Sequence, residues 1–418
     1  MKQIDVAVIG GGASGLVAAI SAARNGAKTI IIEHMDRVGK KILVTGNGKC
    51  NYTNAVQGDS CYRGENPAFV MPVFKQFGVA DTVAFFEELG IYPKIKNGYY
   101  YPSSEQAASV LDVLRMEAAY LGIEEEVSCN LSKLTAKGDG FLLKTDHGEF
   151  YATSVVFATG LLASPKTGSN GSAFPLLEKL GHHMVPVVPA LVQLQGKQSF
   201  FKTLAGIRAE NEIHLYIDNR EIASERGELQ LTDFGISGIP VFQLSRYATR
   251  ALLQKKNVFA LLDFMPDLGK EELRQLLQKR FGRFAHGKTA GEAVIGLMNK
   301  KLSGVLLKEA QISIQKPAKN VSDAELKRLC AVIKGLRVDI IGSKTFEQAQ
   351  VCAGGIKTDE LEDQTLMSKI VPGIYFAGEV IDIDGTCGGY NLQWAWSSGY
   401  VAGKSAAVRA LAGRKRNQ

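Results

Sequence analysis

The chain opens on an apolar run, Val6-Ala-Val-Ile9, that stops at Gly10, after which Leu16, Ala19, Ile20 and Ala23 recur at helical spacing. This pattern predicts a strand, a glycine turn and a helix. A second short strand is predicted from residue 29 to Glu33. Residues 69–89 and 104–121 read as amphipathic helices, the second with Ser103/Ser104 as its cap. Between them, Asn97-Gly-Tyr-Tyr-Tyr-Pro102 predicts a turn into an aromatic strand. From residue 126 the period becomes two, and segments 127–134, 141–145 and 149–151 predict a small antiparallel sheet. A buried strand over 154–160 then ends in Ala158-Thr159-Gly160.

Pro186 and Pro189 mark a boundary. Residues 191–265 are β-rich in pattern, broken by the turn Phe234-Gly-Ile-Ser-Gly238 and a helix over 240–253, and residues 266–345 read as helical. Strand-like pieces return at 351–356 and 373–380, followed by a small-residue helix that opens near Asn391 and runs to about 412.

At 418 residues the chain is long enough for two or three domains with their own cores. The net charge of +7 looks spread along the chain, and the short tail Arg414-Lys415-Arg416 reads as solvated. Without a basic stripe interleaved with aromatics, no nucleic-acid partner is expected. The six cysteines show neither C-x-x-C nor metal spacing, which predicts reduced thiols, no metal and a cytoplasmic protein. Residues 6–23 are uncharged, but four glycines make them a poor membrane span, and no membrane association is expected. The oligomeric state is not legible.

The chemistry lies in the turns. Gly10, Gly12 and Gly15 fit G-x-G-x-x-G: the first permits a sharp turn, the second lets a pyrophosphate approach the backbone, and the third lets the helix lie close on the strand. The helix start that follows, through Ala13 and Ser14, offers N–H groups and a partial positive charge to phosphates. Glu33, 18 residues beyond Gly15, stands where a carboxylate can accept from both hydroxyls of a ribose. These features predict a dinucleotide site and leave NAD and FAD open. The loop 37–54 carries Gly39, Lys40, Lys41, Gly46, Asn47, Gly48 and Lys49 and is expected to lie along the cofactor. The paired glycines Gly388-Gly389 before the last helix point to a ligand there rather than to packing alone.

One glycine-rich βαβ turn, Ala158-Thr159-Gly160 in mid-chain and the late Phe376-Ala-Gly-Glu379 together resemble the two-dinucleotide-fold flavoproteins. Within these, the chain resembles the HI0933-like FAD-dependent oxidoreductases (BaiN/YhiN, aminoacetone-oxidase type). The segments that carry the likeness are residues 39–54, Thr167-Gly-Ser-Asn-Gly171, Phe234-Gly-Ile-Ser-Gly238 and Cys387-Gly-Gly-Tyr-Asn-Leu-Gln393. The resemblance implies an α/β fold: a Rossmann-like FAD domain from residues 1–190 and 346–418, with β-barrel-like and helical pieces (191–345) inserted. It implies that Glu33 holds the adenosine ribose, that Lys41 sits near the phosphates and that Thr45 to Cys50 run beside the flavin. It further places the Val127 backbone at the adenine, with Ala158, Thr159 and Gly160 on the cofactor. Gly378 and Glu379 would lie at the ribityl or pyrophosphate region, and Gly389, Asn391 and Leu392 at the pyrimidine edge. The sequence departs from the family pattern at Leu161-Leu162, Tyr99 and Lys49.

The function expected is an FAD-dependent reductase of a small or steroid-like enone with NAD(P)H as a transient donor. The alternatives are an amine oxidase using O2 and a flavin-containing non-catalytic or RNA-modification accessory protein. No catalytic acid or base is assigned; Tyr99 and Tyr390 are candidates, and His182-His183 read as structural.

Overall fold

The computed structural model of the chain describes residues 2–416, with side chains as far as Gly413. The chain divides into two compact units, one from residues 2–187 and 350–416, the other from residues 188–349.

The first unit is built on a seven-stranded sheet. Its strands are β1 (Lys2–Ile9), β2 (Thr29–Ile32), β3 (Glu124–Glu126), β4 (Leu131–Lys137), β5 (Gly140–Thr145), β6 (Gly148–Phe157) and β7 (Ile374–Phe376), in the order β3-β2-β1-β6-β5-β4 with β7 also on β6. β1 is buried over its last six residues, as a parallel strand covered on both faces should be. β6 does two jobs. On one edge it runs parallel to β1 from Phe150 to Phe157, and on the other its first half pairs antiparallel with β5 and its last three residues parallel with β7. The two strands expected over 149–151 and 154–160 are therefore one.

Three sequence expectations shift. The strand expected over 127–134 begins only at Leu131, as β4, and ahead of it three successive glutamates form the separate short edge strand β3; an edge tolerates charge because one side faces water. The helix expected over 69–89 is broken by Gly78 into Val70–Phe74 and Val79–Glu88. The helix expected from Ser104 begins at Ala107 with Gln106 as N-cap, and the Ser104 hydroxyl pairs with Ser109 instead.

Helix α1 (Ala13–Arg24) and helix α2 (Tyr390–Arg416) cross at small residues. A Cβ on Gly399 or Gly403 would collide with the carbonyl oxygens of Ser14 or Ala18, and Ser21 Oγ donates to Tyr400 O at 2.8 Å. The solvation expected of the Arg414–Arg416 side chains lies outside the described residues.

The second unit contains a closed antiparallel barrel. Its circuit is Leu194–Gly196, Gly235–Ser237, Arg220–Leu231, Arg208–Ile217, Val258–Asp263 and Leu336–Ser343. The last strand falls in the stretch expected to be helical. Leu336, Val338 and Ile340 alternate inward, a period of two hidden behind the preceding helices. Those helices include Lys270–Arg283, Lys300–Glu309 and Asp323–Ile333, the last capped by Ser322. Each unit has its own apolar cluster.

The charge is not evenly spread, contrary to expectation. Residues 266–345 hold 16 of the 49 Lys and Arg but only 8 of the 42 Asp and Glu, so this stretch alone exceeds the net +7 of the chain. Among the described residues, no single helix is long and apolar enough to cross a membrane.

Candidate active site

A cavity of about 270 Å3 lies wholly within the first unit, at the carboxyl ends of β1 and β6, where open α/β sheets take their ligands. Gly10, at φ +96°, turns the chain away from β1, and a Cβ there would stand 2.7 Å from Ala158 O. A Cβ on Gly15 would collide with Gly10 O, so this glycine sets the approach of α1 to the turn. Gly12 differs. A Cβ on it would meet no protein atom within 4 Å, although the residue lines the cavity. The space in front of Gly12 is therefore open for a ligand, and no side chain caps α1 there.

Glu33, 7% exposed, closes the adjoining wall. Its Oε2 accepts from Gly11 N at 2.7 Å and its Oε1 from Met35 N at 2.8 Å, with His34 Nδ1 3.2 Å from Oε1. Burial alone would raise this carboxyl, but donation from His34 and the N–H groups of Met35 and Gly11 outweighs burial and holds the group below its ordinary value. Opposite, Lys41 Nζ donates to Glu379 Oε2 at 2.8 Å, and Cys352 N donates to Glu379 Oε1 at 2.7 Å. Glu379 thus braces a lysine that came from a distant loop, with Ser169 Oγ 3.5 Å from the same ammonium.

The second glycine-hinged helix reaches the same cavity. Asn391, Leu392, Trp394 and Ala395 of α2 stand on its wall together with Gly12, Ala13 and Ser14 of α1. Asn391 turns its amide back on the preceding loop, accepting from Gly385 N and donating to Gly385 O, both at 2.8 Å. Trp394 Nε1 donates to Gly378 O and Ser14 Oγ donates to Ala377 O, locking the late strand turn between the helices. The paired glycines before α2 have a packing reason after all. A Cβ on Gly389 would lie 2.7 Å from Thr53 O, and one on Gly388 2.6 Å from a ring carbon of Tyr99.

Of the residues expected at the site, the cavity wall also includes Gly10, Glu33, Lys41, Thr45, Ala158, Thr159, Gly160 and Glu379. Gly15, Gly46, Asn47, Gly48, Cys50, Val127, Gly378 and Gly389 are not part of it. Residues 129–131 line the wall two to four places beyond Val127. Cys50 is buried, and burial pushes its thiol up to about 12, as it does for Cys352, so neither is a thiolate at neutral pH. Tyr99 and Tyr390 lie off the wall, Tyr390 set edge-on to Tyr62. Residues that sequence reasoning missed are His34, Ser169, Asn170 and Gln350, whereas Arg37 opens the loop 37–54 expected along the cofactor. Only Ser169 and Asn170 had a signal, in the 167–171 segment. Gly168 is where that loop crosses Glu33, with a Cβ there 3.2 Å from Met35 and 3.8 Å from the carboxylate.

The family model described as HI0933-like protein Rossmann domain matches residues 4–405. The chain belongs to the HI0933-like family. It is 41% identical over 406 residues to a 3-dehydro-bile acid delta(4,6)-reductase of Clostridium scindens, which covers 97% of this chain and 99% of that protein. It is 27% identical over 406 residues to a ribosomal RNA dihydrouridine synthase of Escherichia coli, covering 96% and 97%. A solved flavocytochrome c3 fumarate reductase aligns over 98% of this chain and 79% of its own at 17% identity and a TM-score of 0.48. The protein is an FAD-dependent oxidoreductase.

The residues present fit FAD. The open space before Gly12, the uncapped start of α1 and the cations Arg37, Lys40 and Lys41 among the lining suit a pyrophosphate. Glu33 suits a ribose, and Phe157, Ile383, Leu392 and Trp394 supply apolar wall for a ring system. Among the described residues no His, Cys, Asp and Glu cluster is arranged to hold a metal.

Proposed function

We propose that this chain is an NAD(P)H-dependent reductase of a C=C bond conjugated to a carbonyl, in a small or steroid-like molecule. The observation that carries this reading is the end-to-end 41% identity to a protein named for reducing a dehydro-bile acid. Bound FAD supplies two-electron redox chemistry. The chain's own residues bind and orient. The start of α1 and the nearby cations hold phosphate charge. Lys41, held by Glu379, keeps one ammonium on the cavity wall. The start of α2 faces the same space with its partial positive charge, a contribution of about 0.3–2 kcal/mol to an anionic group there. Cys50 and Cys352, un-ionised in this setting, take no nucleophilic part.

A second reading is favoured by the 27% identity to ribosomal RNA dihydrouridine synthases over 96% of the chain. Dihydrouridine formation saturates a C=C bond that is likewise conjugated to a carbonyl, so reaction type is shared and substrate size differs. The test is anaerobic mixing of purified holoenzyme with NADH or NADPH, followed by a 3-oxo-Δ4 steroid or an unmodified ribosomal RNA fragment. Loss of the yellow absorbance with nicotinamide, and its return with the steroid, is the expected result. Return with RNA alone selects the second reading. Absorbance untouched by either nicotinamide but lost with a small amine selects an oxidase and overturns both.

A further inference from the structure

We propose that the helical part of the second unit carries a docking surface for the phosphate backbone of RNA. The excess charge of residues 266–345 is gathered there on exposed side chains. Lys279 and Arg283 lie one turn apart at the end of helix Lys270–Arg283. The bridge between Thr289 and Pro317, with Ala318 N donating to Lys288 O at 2.8 Å, brings Lys288 beside Lys319. Arg280 reaches from the first helix to the carbonyls of Ala293 and Ile295, so the turn leading to Lys300 and Lys301 is tied to the same face. The cations Lys279, Arg283, Lys288, Lys300, Lys301 and Lys319 are all exposed, and among the described residues none is in an ion pair, although Lys288 acts on the Glu292 carboxylate from one turn away. By contrast, Arg274, Lys316 and Lys327 nearby are paired with Glu271, Glu325 and Asp323. Cations in this excess over acids repel one another unless a polyanion neutralises them.

A ring stands among them. Arg280 lies 5.5 Å and Lys288 5.3 Å from the centroid of half-buried Phe284. Cations spaced along two helices and a bridge, with an aromatic between, suit a strand with evenly spaced phosphates and bases able to stack. An anionic membrane fits less well. The large apolar side chains exposed in this stretch are three, Ile295, Ile314 and Ile341, far apart in sequence and at no helical spacing that would make an amphipathic stripe.

This inference gives the second reading above its partner, and its test reads binding rather than reduction, so the two can fail separately. Fluorescence anisotropy of the holoenzyme with a labelled RNA stem-loop should show binding that weakens steeply between 50 and 200 mM salt. The double variant Lys288→Glu/Lys319→Glu should lose at least tenfold in affinity, with a salt slope lower by about 0.7 per contact removed. A variant matched in charge on the other unit, Lys133→Glu/Lys137→Glu, should bind as the parent does. Phe284→Ala should weaken binding about tenfold with the salt slope unchanged. Thermal midpoints of all variants report that the fold is intact. No binding at 50 mM salt, equal binding by the Lys288→Glu/Lys319→Glu protein, or binding to phosphatidylglycerol vesicles without RNA binding would each overturn the proposal.

Discussion

Gly12 and Gly15 sit three residues apart in one motif and face opposite demands. Gly15 is required by the protein itself, because any side chain would strike the Gly10 carbonyl, whereas Gly12 faces only empty space. Gly12→Ala should therefore leave the thermal midpoint of the FAD-free protein within about 1 °C and weaken FAD binding roughly 10- to 100-fold, the cost of overfilling a fitted space. Gly15→Ala should lower the midpoint of the free protein as well. Titration of FAD into the stripped variants, with melting curves of each, checks both; equal effects on FAD affinity and stability at the two positions would refute the distinction. Glu33 adds a pH test. Its folded value lies below the ordinary 4.5, so its contribution is fully present above that value and is lost as pH falls through the lower folded one. FAD affinity that depends on Glu33 should stay flat from pH 8 to about pH 5. A wild-type affinity that already falls between pH 7 and pH 5, with that slope absent from Glu33→Gln, would contradict it. These residues were legible because the turn, the helix start and the carboxylate lie within one short stretch of chain. His34 and Gln350 were not, since nothing local distinguishes them from solvated loop residues.

At the scale of elements, the crossing of α1 and α2 and the His182 clasp both join segments far apart in sequence. Neither left a readable periodicity, because the crossing depends on the shape of Gly399, Gly403 and Ala18 rather than on a hydrophobic stripe. Gly403→Leu should destabilise the first unit by about 1–3 kcal/mol or more and release FAD. Gly413→Ala, on the same helix with Thr153 no nearer than 3.9 Å, should be neutral or slightly stabilising. Comparable loss at both positions would refute the packing account. In the clasp, His182 Nδ1 lies 2.8 Å from Glu360 Oε2 and its Nε2 2.9 Å from Ser368 Oγ, with the imidazole fully buried. Ser368 Oγ already accepts from Ile370 N and Val371 N, so its proton points to His182. Burial lowers the His182 value despite Glu360, which makes the contact a hydrogen bond of neutral imidazole at pH 7 rather than an ion pair. The unfolded chain then binds the extra proton between the two values, and the clasp's stability, complete above pH 6.5, erodes as pH falls below it. Denaturant midpoints of wild type and His182→Gln between pH 8 and pH 5 test this: the variant should be weaker at pH 8 and the gap should narrow toward pH 5.

For the molecule as a whole, the alternation of strand and helix signals was enough to place the centre of the Rossmann-like sheet, since β1, β2 and the end of β6 are apolar runs, β1 and β6 running into glycine turns. The barrel was harder. Its closing strand at Leu336–Ser343 is separated from the others by more than seventy residues of helical pattern, and only the ring of pairings reveals it. The same insertion hid the charge, which a whole-chain total of +7 averages away. That architecture has a thermodynamic consequence. The two apolar clusters share no residue, and every residue lining the cavity belongs to the first unit. FAD that binds there stabilises the unit that holds it by RT ln(1 + [L]/Kd), about 2.7 kcal/mol at a hundredfold excess over Kd and about 4.1 at a thousandfold. Calorimetry of stripped protein with rising FAD should therefore show two transitions, one climbing with ligand and one fixed. The fixed transition should belong to the second unit, which hydrogen exchange can verify through protection of the barrel strands Arg208–Ile217 and Arg220–Leu231. A single transition that climbs as a whole would mean that the units unfold as one cooperative body, and ligand bound in one would then protect the strands of the other.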